Sequence, residues 1–225
     1  MDAYLSTVLA HYLDEIKKVT GRIPVEFMQS NGALSSPKSF RGKNAIFSGP
    51  AGGVIAVARI AREKGIKGAI GFDMGGTSTD VSRFDGEFEK IYEQVVGNIP
   101  LQMEMLNIVT IAAGGGSILR FDGQKMIVGP ESAGSDPGPA CYGFGGPLTV
   151  TDANLFTGRL ISEYFPKTFG ADGKSSLDSI TVKEKFLLLA DEVNKVMETA
   201  FTPQEIANGF LRVANEKMAM AIKEI

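Results

Sequence analysis

The chain has 225 residues, with 23 Lys and Arg against 26 Asp and Glu and a formal net charge of −3, which leaves no basic footprint for nucleic acid. Hydrophobic residues make up 44% and charged residues 22%, an ordinary globular composition that suits one large domain or two small ones. No apolar run approaches the roughly 20 residues of a membrane-spanning helix, the opening MDAYLSTVLAHYL lacks the features of a signal peptide, and the single cysteine, Cys141, excludes an internal disulfide and suits a reducing cytoplasm.

Leu5, Val8, Leu9, Tyr12, Leu13 and Ile16 recur at helical spacing and predict a first helix with one apolar stripe, ended by Gly21. His11, the only histidine, points away from that stripe toward solvent, which argues against a Ser–His–Asp or Cys–His mechanism. PVEFMQ (24–29) reads as a short buried strand and SNGALSSPKSFRG (30–42) as a loop. In SGPAGGVIAVARIAREKG (48–65) a glycine-rich turn leads into a helix expected to start near Gly52 and stop at Gly65. The glycines there fit either an anion at the helix start or close packing of small residues.

KGAIGFDM (67–74) and TDVSRFD (79–85) read as strands, DGE (85–87) as a hairpin turn and FEKIYEQVV (88–96) as a third strand. A strand from Met105, the AGGGS loop, SILRF, a DG turn and KMIVG follow. Residues 129–148 are dominated by Gly, Pro and small polar residues, a loop long enough to suggest function. Thr151 is expected to cap a short helix through Thr157, with Asp152 favoured there by the helix dipole. Helices are expected at 182–200 and at 203–224, the second with Pro203 in its first turn and Phe210, Leu211, Val213, Ala214, Met218, Ala221 and Ile222 packing on the sheet or on a segment outside this stretch.

The stretch GFDMGGTSTDV (71–81) poses the functional question. Gly75 and Gly76 join two strands, so backbone N–H groups can approach a ligand closely and form an anion-binding concavity. Thr77, Ser78 and Thr79 add hydroxyls. Asp73 and Asp80 make sense beside a phosphate if Mg²⁺ lies between them, since that ion takes one or two carboxylates, waters and phosphate oxygens. An ordinary hairpin with acceptable turn residues is the competing reading. Cys141, with no histidine to activate it, reads as a small packed residue, and Gly114–Gly116 fit either a ligand loop or a strained turn.

DMGGTSTDV resembles the second phosphate motif of the actin-like ATPase superfamily. MQSNGAL (28–34), SGPAGGV (48–54), FDMGGTSTDVS (72–82), AAGGGSILRFDG (112–123), VGPESAGSDPGPACYGFGGPLTVTDANL (128–155) and GRL (158–160) are together similar to the hydantoinase A/oxoprolinase family. The resemblance implies an α/β fold: a ribonuclease-H-like, actin-like ATPase lobe with a mixed sheet, β-hairpins and flanking helices. It implies one partial hydantoinase A domain over 1–225, without the other actin-like lobe and without the adenosine motif of complete members. It further implies an ATP-dependent hydrolase of cyclic amides such as pyroglutamate or hydantoins, in a multi-subunit protein that includes a hydantoinase B-type partner. Subunits of acetone or acetophenone carboxylases, and a non-catalytic subunit, are the alternatives. ATP and Mg²⁺ are the implied cofactors, with Asp73, Gly75, Gly76, Thr77, Thr79 and Asp80 around them. This stretch alone is expected to bind nucleotide weakly and turn nothing over, and no catalytic residue is assigned within it.

MLNIVTIAAGGGS (105–117) departs from the family pattern MLDIHTVAAGGGS. Asn107 replaces an acidic residue and Val109 a histidine, so a second, hydrolytic metal is in doubt. Asp136 remains as a metal ligand of that set, or as a turn cap before Pro137.

Overall fold

The computed structural model describes residues 2–96 and 98–225. The chain divides into two compact units, one holding residues up to 73, residues 80–109 and Ile225, the other residues 74–79 and 110–224.

In the first unit α1 (Asp2–Thr20) ends at Gly21, which adopts φ +60. The expected stripe is only half realised: Leu5, Leu9, Leu13 and Ile16 are half-buried, whereas Val8 and Tyr12 are exposed and no residue of the helix is fully buried. His11 is exposed, as its position on the helix predicts. The strands β1 (Phe27–Met28) and β2 (Leu34–Ser35) pair antiparallel, shorter than the strand expected over 24–29. The short α2 (Gly42–Ala45) lies against α1, where a Cβ on Gly42 would come within 2.6 Å of Leu5 Cβ. α3 (Ser48–Glu63) begins four residues earlier than expected, so Gly52 and Gly53 lie inside it. Pro50 is tolerated because the first helical turn needs no N–H partner. Ala51 and Val54 of α3 pack with Leu106 and Ile108, and Ala58 and Ala61 with Phe84.

β3 (Ala69–Met74), β4 (Thr79–Phe84) and β7 (Val109–Ile111) form a three-stranded sheet in the order β3–β4–β7. β5 (Lys90–Val96) and β6 (Ile99–Leu106) pair antiparallel from Lys90↔Leu106 to Val96↔Ile99, with a bulge between Ile91 and Glu93. This corrects the hairpin expected about residues 85–87. The antiparallel Phe84↔Phe88 bridge closes the turn at 85–87, but among the described residues the pairing goes no further, and β5 pairs with β6 instead. The bridge is held from above by Arg62, whose guanidinium lies 5.1 Å from the centre of each of the two rings.

In the second unit β8 (Ser117–Phe121) and β9 (Met126–Ser132) form the expected hairpin, with Asp122 Oδ1 accepting from the amides of Gln124 and Lys125. α4 (Val150–Phe156) and α6 (Pro203–Lys223) pack against it, and α5 (Ser179–Met197) packs on α4 and α6. Val182, Phe186, Ile206, Phe210 and Val128 are fully buried at the centre, and Phe156 stacks on Phe186 at 4.8 Å. The helix ends follow local chemistry. Asp178 caps α5, and hydrogen bonds from the Thr181 hydroxyl and amide hold its carboxyl below the ordinary value. Thr202 and Glu205 form a capping box around Pro203 in α6. Among the described residues no helix is long and apolar enough to cross a membrane.

Candidate functional site: a glycine turn and a carboxylate cavity

The link between β3 and β4 is four residues long and is closed by Gly75 N donating to Ser78 O at 2.9 Å. The Gly75 amide is therefore spent inside the turn. The amides of Gly76, Thr77 and Ser78 meet no acceptor among the described residues. Three successive N–H groups of this kind form a concavity for an anion.

The carbonyls of the same turn point to the AGGGS loop. Gly115 N donates to Gly75 O at 3.0 Å and Gly116 N to Gly76 O at 2.6 Å. A Cβ on Gly114 would lie 2.7 Å from Gly75 O and 2.8 Å from Gly76 C and O. On Gly116 it would lie 2.8 Å from Ser132 Oγ and 2.9 Å from Gly76 O. The triple glycine lets one backbone lie on another, a close packing that neither of the two expected readings of that loop, ligand loop or strained turn, described. Gly75 and Gly76 differ. Neither has a left-handed φ, a Cβ on Gly76 would meet open space, and one on Gly75 would meet only ordinary contact with Ser78 O at 3.5 Å. Nothing in the fold asks for glycine at these two positions.

The long motif at 128–155 braces this arrangement from behind. Thr151 donates through its amide (2.8 Å) and hydroxyl (2.9 Å) to Gly115 O, so it steadies the loop that steadies the turn. It is not the helix cap: Thr149 caps α4 in a capping box with Asp152. Asp152 is fully buried and accepts from Thr149 N (2.7 Å), Thr149 Oγ1 (2.8 Å), Ala140 N (3.1 Å) and Cys141 N (2.8 Å). One carboxylate therefore ties the PGPACYG loop to the start of α4. Cys141 is buried beside it, and burial, reinforced by the Asp152 charge, pushes the thiol far above its ordinary value. A thiol so suppressed is a packing group and no nucleophile.

Thr79 also departs from expectation. Its side chain is fully buried and its hydroxyl donates to Ala113 O at 2.6 Å, with Met218 Sδ at 3.7 Å. It serves the core of the second unit instead of a phosphate. Thr77 is exposed in the turn.

Asp73 and Asp80 are brought together in the first unit, where both line a cavity of about 170 Å³ walled by Pro50, Gly53 and Val57 of α3. Ser82, within the strand expected over 79–85, lines it too. Two carboxylates and a hydroxyl on one wall are hard oxygen donors of the kind Mg²⁺ takes. Asn107 is half-buried and donates from its amide to Glu89 O (2.9 Å) and from its side chain to Glu89 Oε2 (3.3 Å); Val109 is half-buried in β7. Asp136 is exposed in the loop after β9. Among the described residues no three His, Cys, Asp or Glu side chains gather as a metal-holding group.

With this geometry established, the comparisons with known proteins are specific. The family model described as hydantoinase/oxoprolinase matches residues 1–225, and the chain belongs to that family. It is 48% identical over 229 residues to a 5-oxoprolinase of Saccharomyces cerevisiae, with 100% of this chain and 18% of that protein covered. Among solved structures, the ATP-dependent caprolactamase from Pseudomonas jessenii superposes with a TM-score of 0.76 at 31% identity, covering 99% of this chain and 32% of that one. A nucleotide-free acetone carboxylase superposes with a TM-score of 0.80 at 23% identity, covering 96% of this chain and 30% of that one, and shares the fold. The mixed α/β fold with hairpins and flanking helices is thus the one the resemblance implied. The chain spans about a fifth of the length of the 5-oxoprolinase it matches.

Proposed function

We propose that this chain is the phosphate- and cation-handling part of an ATP-dependent hydrolase that opens cyclic amides. The observation that carries the reading is the pair Gly75–Gly76: two adjacent glycines that neither backbone conformation nor internal packing requires, followed by amides without acceptors. Glycine there leaves room for something that is not part of the fold. The names of the relatives, 5-oxoprolinase and ATP-dependent caprolactamase, support both nucleotide use and a cyclic amide as the substrate class.

The roles follow from the chemistry of the groups. The Gly76, Thr77 and Ser78 amides donate to phosphate oxygens, and the Thr77 hydroxyl adds a donor. Asp73 and Asp80 hold Mg²⁺, whose charge offsets that of the phosphates. The AGGGS loop and Thr151 keep the turn in place, so its donors need no rearrangement when a polyanion arrives. In the whole protein ATP would transfer its γ-phosphoryl group to the amide oxygen with ADP leaving, and water adding at the activated ring carbon would break the C–N bond and release phosphate. A caprolactamase relative from Pseudomonas jessenii is named as subunit alpha, which supports an assembly with a second kind of subunit; a hydantoinase B-type chain is the partner we propose. The lone buried Cys141 fits a reducing, cytoplasmic setting.

Calorimetric titration of ATP into the full-length protein tests the reading. Saturable binding that strengthens with Mg²⁺ is expected, together with at least a tenfold loss of the Mg²⁺-dependent part in Asp73→Asn. Binding indifferent to Mg²⁺ and to that substitution would remove the assigned roles.

A further inference from the structure

Glu89 is the neighbour of two residues on either side of it. The Phe84↔Phe88 bridge, carried one residue outward, puts Arg83 opposite Glu89. The Lys90↔Leu106 pair of β5 and β6, carried one residue outward, puts Asn107 opposite the same Glu89. Residues so placed are within reach of each other, and the side chains meet. Arg83 Nε donates to Glu89 Oε1 at 2.6 Å, and Arg83 Nη2 pairs with the same oxygen. Asn107 Nδ2 donates to Glu89 Oε2 at 3.3 Å, and Asn107 N to Glu89 O at 2.9 Å. Both carboxylate oxygens are thus engaged by the chain itself.

This is the stretch where the family resemblance implies a second divalent metal, with an acid at 107 and a histidine at 109. The donors present do not fit one. Asn107 turns its NH₂ group to Glu89, valine at 109 has no lone pair to give, and Asp136 is exposed in the second unit. Charge balance points the same way. An aspartate at 107 would set a second carboxylate beside that of Glu89, and two carboxylates at such a distance favour a cation between them or the loss of one charge. A glutamate between a guanidinium and a neutral amide is already balanced. A divalent ion on either Glu89 oxygen would meet the Arg83 charge, which cannot be relieved by deprotonation.

We infer that the Arg83 guanidinium is the resident cation of this corner: Arg83, Glu89 and Asn107 form a closed, charge-neutral group that stands in place of the second divalent metal. Arginine suits the role because its planar fork carries a permanent charge and matches a carboxylate. The inference does not depend on the Mg²⁺ assigned to Asp73 and Asp80, and the two can fail separately.

Mn²⁺ binding to the full-length protein, followed by the electron paramagnetic resonance of the free ion, tests it. Glu89→Gln is expected to leave every Mn²⁺ affinity of the parent within about twofold. The pair Asn107→Asp and Val109→His, with Arg83 in place, is expected to gain no site. Adding Arg83→Gln to that pair frees Glu89 and is expected to bind one Mn²⁺ more than the pair alone. A Mn²⁺ site of the parent that is lost with Glu89→Gln would show that the carboxylate already serves a metal. A site gained by the pair while Arg83 remains would show that the guanidinium excludes nothing. Either result overturns the proposal, as does a triple variant that melts with the parent and still gains no site. If the triple variant does not fold, the first two comparisons decide.

Discussion

Alanine at Gly114 is expected to destabilise the protein by about 3 kcal/mol, while alanine at Gly76 leaves stability within about 0.5 kcal/mol of the parent. At Gly114 the new methyl would meet three backbone atoms of Gly75 and Gly76 at 2.7–2.8 Å, and backbone cannot swing aside as a flexible side chain can. Either the two hydrogen bonds from Gly115 and Gly116 break or the turn is pushed out of place. At Gly76 the methyl enters open space on a backbone that any residue can adopt. Nucleotide affinity should respond in the reverse manner to what stability alone predicts: Gly76→Ala, though fully folded, should lose at least tenfold in ATP affinity because the methyl occupies the approach of the phosphate. Denaturant unfolding and ATP titration of the two full-length variants check both halves. A Gly76→Ala protein that binds ATP as tightly as the parent would mean that the glycine is incidental.

The second large effect is at Asp152. Asp152→Ala removes the acceptor of the Cys141 and Thr149 amides and of the Thr149 hydroxyl, all in the interior, while Ala140 N keeps Pro147 O as a partner at 3.0 Å. Leaving buried donors unpaired costs about 1–3 kcal/mol each, and partial rehydration through the cavity left behind brings the sum to about 4 kcal/mol. For a chain of this size each kcal/mol moves the melting temperature by about 2–4 °C, so a drop of roughly 10 °C is expected. Asp152→Asn keeps the shape and one acceptor oxygen and should lose about half as much. Because Cys141 N is one of the donors, the loop around it should loosen, and the thiol should become open to alkylation in Asp152→Ala while it stays protected in the parent. A melting temperature within about 2 °C of the parent would show that the carboxylate is not the tie described here.

Much of this was legible in the residues. α6 could be placed to within one residue because Pro203 marks its first turn, whereas α5, expected at 182–200, spans Ser179–Met197 because the cap supplied by Asp178 was not read in the sequence. The start of α3 was not, because Ser48-Gly-Pro reads as a turn while the first helical turn tolerates all three residues. The β4–β5 hairpin failed for a different reason. Strand order is decided by long-range pairing, and a DG turn between two strand-like runs says nothing about whether β6 or β7 competes for them. At the site, Asp73, Gly75, Gly76 and Asp80 stand out by residue type. The inward turn of Thr79 follows from strand alternation, which puts it on the buried face with Val81.

The central claim is that the bend after Met74 receives phosphate through its unpaired amides. A crystal structure of the full-length protein with Mg²⁺ and a non-hydrolysable ATP analogue tests it most directly. The account predicts phosphate oxygens within hydrogen-bonding distance of the Gly76, Thr77 and Ser78 amides and the metal beside Asp73. Nucleotide bound elsewhere, with that bend covered by side chains from other parts of the polypeptide, would contradict it.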